Sequence, residues 1–287
     1  LRKKLPHWYA KTSLVYPSTL SAEQCSSEAT ASYKAAMVCC IVGHEGRVAD
    51  LTGGLGVDSW AFSREVADVL YNEMNPALAQ AAGHNFGELG AGNIRIEARE
   101  ITPSSIGTLL DGFSPELVYM DPARRAGDGR KVFLIEDSSP DVLGLLPGIF
   151  LRCRHLLLKL SPMADISMVV ERLNRAYESN LEKTSGGGWN GNWVREIHIV
   201  ASGGECKELL VWMDRDWKGD YSVHCREDGG TVMFEASEIS GAKPVLPDSV
   251  YVRYLFEPGK SLSKAGVFNA LCGRFGLVKG GTLILLT

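Results

Sequence analysis

No stretch of this sequence approaches the ~20 consecutive apolar residues that a membrane-spanning helix needs. The amino-terminal Leu1-Arg2-Lys3-Lys4-Leu5-Pro6 is basic but lacks the apolar run of a secretory signal. Its first residue is not Met, so an upstream segment is expected. The cysteines number seven, an odd count, with no Cys-x-x-Cys pair, and the adjacent Cys39 and Cys40 cannot readily bridge to each other. This argues against a disulfide framework or a zinc site and for reduced, mostly buried thiols in a cytoplasmic protein. The six histidines show neither His-x-x-x-His nor His-Glu-x-x-His spacing, so no catalytic metal is expected. A basic excess is also missing: 30 Lys and Arg stand against 34 Asp and Glu, for a net charge of -4. That excludes a broad, sequence-independent nucleic-acid surface and leaves room only for a local basic patch. Internal repeats and low-complexity tracts are absent.

What is present is ordinary globular material, 45% hydrophobic and 22% charged over 287 residues, enough for one large domain and a small one. Ser21-Ala22-Glu23-Gln24 fits a capping box and predicts a helix to about Cys40, with Ala29, Tyr33, Ala36 and Cys40 on one side. From Val48 short apolar runs alternate with helical patterns, as βαβ units do. The expected strands are Arg47–Leu51, Val69–Asn72, Asn93–Glu97, Leu117–Met120 and His155–Leu160. Between and after them, helices are expected over Ser59–Ala67, Pro76–Gly90, Pro103–Leu110, Asp141–Phe150 and Ala164–Tyr177. Ser185–Gly188 with Asn190–Asn192 reads as a loop, after which Val194–Ala201 and Lys207–Met213 read as a hairpin. Short strands at Tyr221–Cys225, Thr231–Phe234, Val250–Phe256 and Thr282–Leu286 and a helix at Leu262–Phe275 follow. The fold class is α/β: parallel strands ending in an antiparallel hairpin, with a small α+β carboxy-terminal region.

The richest segment is Val48-Ala49-Asp50-Leu51-Thr52-Gly53-Gly54-Leu55-Gly56-Val57-Asp58, a buried strand that turns on glycines into a helix. Glycines let the backbone turn sharply and approach a ligand, and the next helix start offers N–H groups to an anionic group. At the strand end Asp50 can pair with an ammonium. In Tyr71-Asn72-Glu73-Met74-Asn75-Pro76, Glu73 ends the second strand about 20 residues beyond the glycine turn, placed for both hydroxyls of a ribose. Met74 would lie beside the base. A nicotinamide site wants Gly-x-Gly-x-x-Gly or Ala at the last position, and here Gly54-Leu55-Gly56-Val57-Asp58-Ser59 ends in Ser.

The fourth strand, Leu117-Val118-Tyr119-Met120, runs into Asp121-Pro122-Ala123-Arg124-Arg125. Proline fixes the chain direction, and Asp121 emerges at the carboxyl edge of the sheet. Read blandly, Asp-Pro is only a turn. Arg124, Arg125, Arg130 and Lys131 then form either a phosphate grip, since arginine forks match phosphate oxygens, or a solvated, charge-balanced loop with Asp128, Glu136 and Asp137. Arg124 directly follows the turn and could instead brace Asp121. Lys159, ending the fifth strand, is a candidate substrate contact, and Trp189 and Trp193 could stack on bases or cover the sheet edge.

In order and spacing, Asp50-x-x-x-Gly54-x-Gly56, Glu73 and the Asp121-Pro122 turn resemble the class I S-adenosyl-L-methionine-dependent methyltransferases. More closely, Asp50–Asp58, Glu73-x-Asn75-Pro76 and His84-Asn85-Phe86 resemble bacterial methyltransferases with a carboxy-terminal THUMP-like domain, relatives of trimethylguanosine synthase and the RNA guanine methyltransferases. Glu23–Glu28 and Tyr254–Pro258 are similar to that family's flanking segments. The resemblance implies a Rossmann-like methyltransferase domain over 43–216, an amino-terminal helical segment over 1–42, a small ferredoxin-like or β module over 217–243 and a THUMP-like α+β domain over 244–287. It implies S-adenosyl-L-methionine bound by Asp50, Thr52, Gly53, Gly54, Gly56, Asp58, Glu73, Met74 and Glu100, with Glu97 the alternative to Glu100 at the adenine. Asp121, Pro122 and Arg124 would be catalytic, and Arg124, Arg125 and Lys159 would hold substrate, expected to be a base nitrogen in tRNA or rRNA. In the amine methyltransferases an aromatic follows Asp/Asn-Pro-Pro; here Ala123-Arg124 stands in that place. Methylation of a small molecule or protein, and a silent module that keeps the fold, are the alternatives.

Overall fold

The computed structural model describes residues 1–124, 134–185, 192–246, 254–280 and 284–286. Arg125, Arg130, Lys131, Trp189 and most of the expected strand Val250–Phe256 lie outside the described residues. Helix α1 (Pro6–Ala10), α2 (Thr19–Gln24) and α3 (Glu28–Val42) precede β1 (Arg47–Asp50). There follow α4 (Val57–Ser63), β2 (Asp68–Asn72), α5 (Pro76–Glu88), β3 (Ile94–Glu97), α6 (Ile106–Asp111) and β4 (Leu117–Met120). Then come α7 (Val142–Phe150), β5 (His155–Leu160), α8 (Ile166–Ser185), β6 (Val194–Ser202) and β7 (Glu205–Asp214). The last main-sheet strands are β8 (Ser222–Glu227) and β9 (Gly230–Glu235).

These nine strands form one sheet in the order β3-β2-β1-β4-β5-β7-β6-β8-β9. The first five are parallel, β7 is antiparallel to both β5 and β6, and β8 runs parallel to β6. The strands alternate between two cores, as a sheet covered on both faces requires. Leu117, Tyr119, Leu157, Leu210 and Trp212 pack on one face with α1, α3, α4 and α5. On the opposite face Val118, Met120, Leu156, Leu158 and Val211 pack with α6, α7 and α8. Four consecutive apolar residues in β4 are therefore all buried.

Several sequence expectations change. The single helix from Ser21 is two, broken at Cys25–Ser27. Ser18 caps α2 by accepting the N–H of Ser21, and Ser27 caps α3 by accepting that of Thr30. The buried face of α3 carries Ala31, Lys34, Ala35 and Val38, so Ala29, Ala36 and Cys40 point to solvent. Segment 217–243, expected as a separate module, extends the main sheet through β8 and β9, with α9 (Ala236–Gly241) after them. The expected helix Leu262–Phe275 is also two, α10 (Lys260–Ala265) and α11 (Phe268–Phe275), because Gly266 adopts φ +67° and ends the first. Leu255–Phe256, Val278–Gly280 and Ile284–Leu286 pair as a separate small sheet.

Candidate active site

The sheet's order reverses between β1 and β4, and ligands of open α/β sheets bind at the carboxyl ends of strands beside such a point. A cavity of about 340 Å³ opens there, lined by the Asp50–Asp58 turn, by Glu73, Met74, Glu100 and Ile101, by Asp121 and Ala123, and by Ser21, Gln24, Cys25 and Ser26 of the amino-terminal segment.

The glycine turn is shaped by packing as well as by torsion. A Cβ on Gly53 would lie 2.1 Å from the Tyr71 ring, so no larger residue fits between turn and strand. Gly56 combines φ +90° with the ring of Phe86 at 2.5 Å from any Cβ. Asp50, buried at the end of β1, accepts the Ser59 hydroxyl at 2.6 Å and the Thr52 N–H at 3.1 Å. Burial pushes its carboxyl up to about 7, because these donors and the neighbouring Asp58 offer no compensating positive charge. A buried carboxylate with no cation beside it among the described residues, on the wall of a cavity, fits a cationic group of a ligand.

Glu73 is fixed on the opposite wall, accepting the N–H of Gly54 at 3.0 Å and of Asn75 at 2.8 Å. Each oxygen keeps a further lone pair for a hydroxyl donor. Asn72 holds the loop after β3, donating to the carbonyls of Leu51 and Arg99 and accepting the Arg99 N–H at 3.1 Å. That tie brings Glu100 and Ile101 to the cavity. Glu97 does not line it: its carboxyl is taken by Arg95 at 2.7 Å and Arg99 at 2.9 Å, and these hold it below the ordinary range against the opposing effect of burial. Of the two, Glu100 lines the cavity and Glu97 does not. Met74, 64% exposed, and Ile101, 8% exposed, present apolar surface to the same space.

Asp121 faces this cavity from the end of β4. Its N–H donates to the Thr52 hydroxyl at 2.6 Å, so Thr52 holds the Asp-Pro turn as well as lining the cavity. Pro122 is buried. Ala123–Arg124 pair antiparallel with Ser138–Ser139, bringing Ser139 and Pro140 to the cavity; the Arg124 side chain lies outside the described residues.

Two expected ligand contacts are used differently. Asp58 adjoins the cavity, but its carboxylate accepts the Ser26 and Tyr119 hydroxyls at 2.8 and 2.9 Å and lies 3.1 Å from the Lys34 ammonium. Burial would raise its pKa, yet Lys34, Lys159 and these hydroxyls hold it below the ordinary range. Lys159 does not line the cavity. Its ammonium donates to Asp121 at 2.5 Å and to Ser26 at 3.2 Å. Trp193, considered for base stacking, is 1% exposed within the core. Sequence reading missed Ser26, Lys34, Ser59 and Glu208; capping Ser27 and the Ser-Ser pair at 26–27 were the available signal for the helix break that brings Ser26 here.

Two groups of donor side chains lie elsewhere among the described residues, Cys39 with His44 and Glu65, and Glu196 with His198 and His224. Neither lines the cavity. In the second, the two imidazoles stack 4.3 Å apart at 14°.

The chain is similar to a solved protein of Porphyromonas gingivalis W83 named a "putative methyltransferase", at 32% identity and TM-score 0.80. The match covers 97% of this chain and 65% of that one, so this chain spans less than two thirds of its relative. Weaker likeness, at TM-score 0.41 and 13% identity over 67% of this chain and 98% of the other, is found to an rRNA methylase from Streptococcus thermophilus. A Streptococcus mutans protein in complex with SAH gives TM-score 0.39 and 11% identity over 63% of this chain and 95% of the other. No protein-family model matches, and no curated protein does. The fold is a Rossmann-like methyltransferase fold, carried by the first of these matches and by the strand order above.

Proposed function

We propose that this protein is a class I S-adenosyl-L-methionine-dependent methyltransferase that methylates a nitrogen of an RNA base. One observation carries the reading: Asp50, Glu73 and Asp121 end three neighbouring strands and converge on one cavity. Asp50 would pair with the methionyl ammonium, the Thr52–Gly56 turn would take the carboxylate, and Glu73 would hold both ribose hydroxyls. Met74 and Ile101 would flank the adenine, with Glu100 at its amine. Bound there, S-adenosyl-L-methionine supplies an electrophilic methyl group. Asp121 accepts the N–H of the incoming nitrogen and so directs its lone pair at that methyl. Rate then comes mainly from proximity and alignment. Ala123 leaves the base without the aromatic that amine methyltransferases supply after their turn.

RNA as substrate rests on the resemblance to bacterial methyltransferases with a THUMP-like domain, whose relatives include RNA guanine methyltransferases, and on the basic run Arg124, Arg125, Arg130 and Lys131. In this reading the carboxy-terminal region, THUMP-like over 244–287, helps to hold the RNA. The net charge of -4 favours the second reading, a small-molecule or protein substrate. Tritiated methyl transfer from S-adenosyl-L-methionine to total RNA, protein extract and metabolites of a strain lacking the enzyme separates them. Label in RNA supports the proposal, label in another fraction transfers the activity to that substrate class, and label in none removes it. Within the RNA arm, charge reversal of Arg124 and Arg125 to Glu should raise KM and flatten its salt dependence, since each neutralised phosphate contributes a slope of ~0.7–0.9 in log affinity against log salt.

A further inference from the structure

Lys34 is a lysine with no solvent exposure, carried on the buried face of α3 among Ala31, Ala35 and Val38. Its ammonium lies 2.8 Å from Glu208 of β7 and 3.1 Å from Asp58 of α4, and donates to the Ser26 hydroxyl at 2.8 Å. Ser26 also accepts from Lys159 at 3.2 Å and donates to Asp58 at 2.8 Å, so the one donor and two acceptor sites of this hydroxyl are all used. Lys159 in turn holds Asp121 at 2.5 Å. A continuous chain of contacts thus runs from the interior of the amino-terminal helix to the carboxylate at the reacting edge.

We propose that Lys34 is a positioning residue for methyl transfer: through Ser26 and the carboxylates of Asp58 and Glu208 it fixes Lys159, and Lys159 fixes the Asp121 carboxylate that orients the acceptor. The inference rests on the proposed methyltransferase activity and deepens it.

Stability alone is a weak reason for such an arrangement. Burying charges costs desolvation, and replacing a buried ionic group by apolar residues of like volume is often neutral or stabilising. Around it α3 offers small apolar neighbours suited to an uncharged side chain. The cluster lies beside Asp121, at the sheet edge where the orientation of a charged group would matter to the chemistry. Three carboxylates interleaved with two ammoniums also restrict where Lys159 can go. It has Asp121 on one side and Glu208 at 4.0 Å on the other, and Lys34 takes up the near oxygen of Glu208. Without Lys34, Glu208 and Asp58 lose their nearest cation and draw Lys159 inward, away from Asp121. In keeping with this, Asp121, Asp58 and Glu208 together hold Lys159 protonated to higher pH than usual, although burial alone would lower its pKa.

The test is a double-mutant cycle on kcat, measured with tritiated S-adenosyl-L-methionine and whichever fraction the parent enzyme labels, alongside equilibrium binding of S-adenosylhomocysteine. Lys34→Met should lower kcat about 10-fold or more while leaving KM and cofactor affinity within about 3-fold, and on an Asp121→Asn background it should cost little further, because residues acting as one unit are not additive. Glu208→Gln, which keeps shape and a hydrogen bond to Lys34, should give a milder loss with the same dependence on Asp121; it stands in for Lys34→Met should that variant fail to fold. Equal fold losses on the parent and Asp121→Asn backgrounds would overturn the inference, as would an unchanged kcat in folded variants. A parent that binds S-adenosylhomocysteine and labels no fraction would overturn the activity on which the inference stands, and the inference with it.

Discussion

Lowering the pH from 8 to 6 should weaken cofactor binding through one carboxylate, Asp50. Burial raises its pKa to about 7 in the free protein, and no cation among the described residues opposes the shift. A ligand whose ammonium pairs with this group binds the ionised form, so the apparent affinity falls as the proton competes. With a pKa near 7, the apparent dissociation constant at pH 6 should exceed that at pH 8 by about 10-fold, the ratio of the two protonation factors. The same shift has a consequence for folding, of opposite sign. A carboxylate with a raised folded pKa contributes stability that is present below its unfolded pKa and is lost as pH rises through about 7. The free protein should therefore lose stability between about pH 4 and pH 7 through Asp50, and cofactor should restore it. Isothermal titration of S-adenosylhomocysteine at several pH values, with Asp50→Asn as control, measures the first effect. Asn can still accept from Thr52, while Ser59 can turn to accept from the amide, so the local hydrogen bonds survive. Asp50→Asn should bind more weakly with a flat profile over this range. An equally flat profile in the parent would refute the pairing of Asp50 with a cation.

Three further substitutions probe the remaining parts of the site. Gly53→Ala should cost ~1–3 kcal/mol in urea unfolding, as overpacked cores do, because its Cβ would meet the Tyr71 ring at 2.1 Å; unchanged stability would show that the turn can move away from β2. Asp121→Ala should keep S-adenosylhomocysteine affinity within a few-fold and lose at least ~100-fold in turnover, since misaligned reactants forfeit proximity. Near-normal turnover would reduce Asp121 to a turn residue. Lys159→Met should also lower kcat with little change in cofactor affinity, because Lys159 touches Asp121 rather than the cavity; a rise in KM without loss of kcat would return it to the role of substrate contact.

Local and nearest-neighbour features of this protein were readable in one dimension. Gly53, Gly54 and Gly56 announce a turn because Gly54 and Gly56 take positive φ, while the rings of Tyr71 and Phe86 leave no room for a Cβ on Gly53 and Gly56. Runs such as Leu117–Met120 announce buried parallel strands because both faces are covered. What escaped detection depends on contacts far apart in sequence. Asp58 looked like a cofactor ligand because it follows the glycines, yet its partner Lys34 lies on the helix before β1. Glu208 sits within an expected hairpin strand and carries no local signal of its role; it is 2% exposed and meets Lys34 of α3, 174 positions away. Helix α3 resists a pattern reading because its buried face carries a lysine and a threonine and its exposed face carries alanines. The strands β8 and β9 were legible as the short runs Tyr221–Cys225 and Thr231–Phe234, but not the parallel docking of β8 on β6, which no local periodicity encodes.

The central claim is that the cavity at the ends of β1, β2 and β4 holds S-adenosyl-L-methionine with Glu73 on its ribose. Titrating S-adenosylhomocysteine into the parent and into Glu73→Ala tests it most directly. One bound ligand per chain is expected in the parent. Affinity should fall by about 100-fold or more in the variant, because two hydrogen bonds to a charged acceptor, each worth ~1.5–3 kcal/mol, are lost. No binding to the folded parent, or equal binding to a folded Glu73→Ala, would contradict the account.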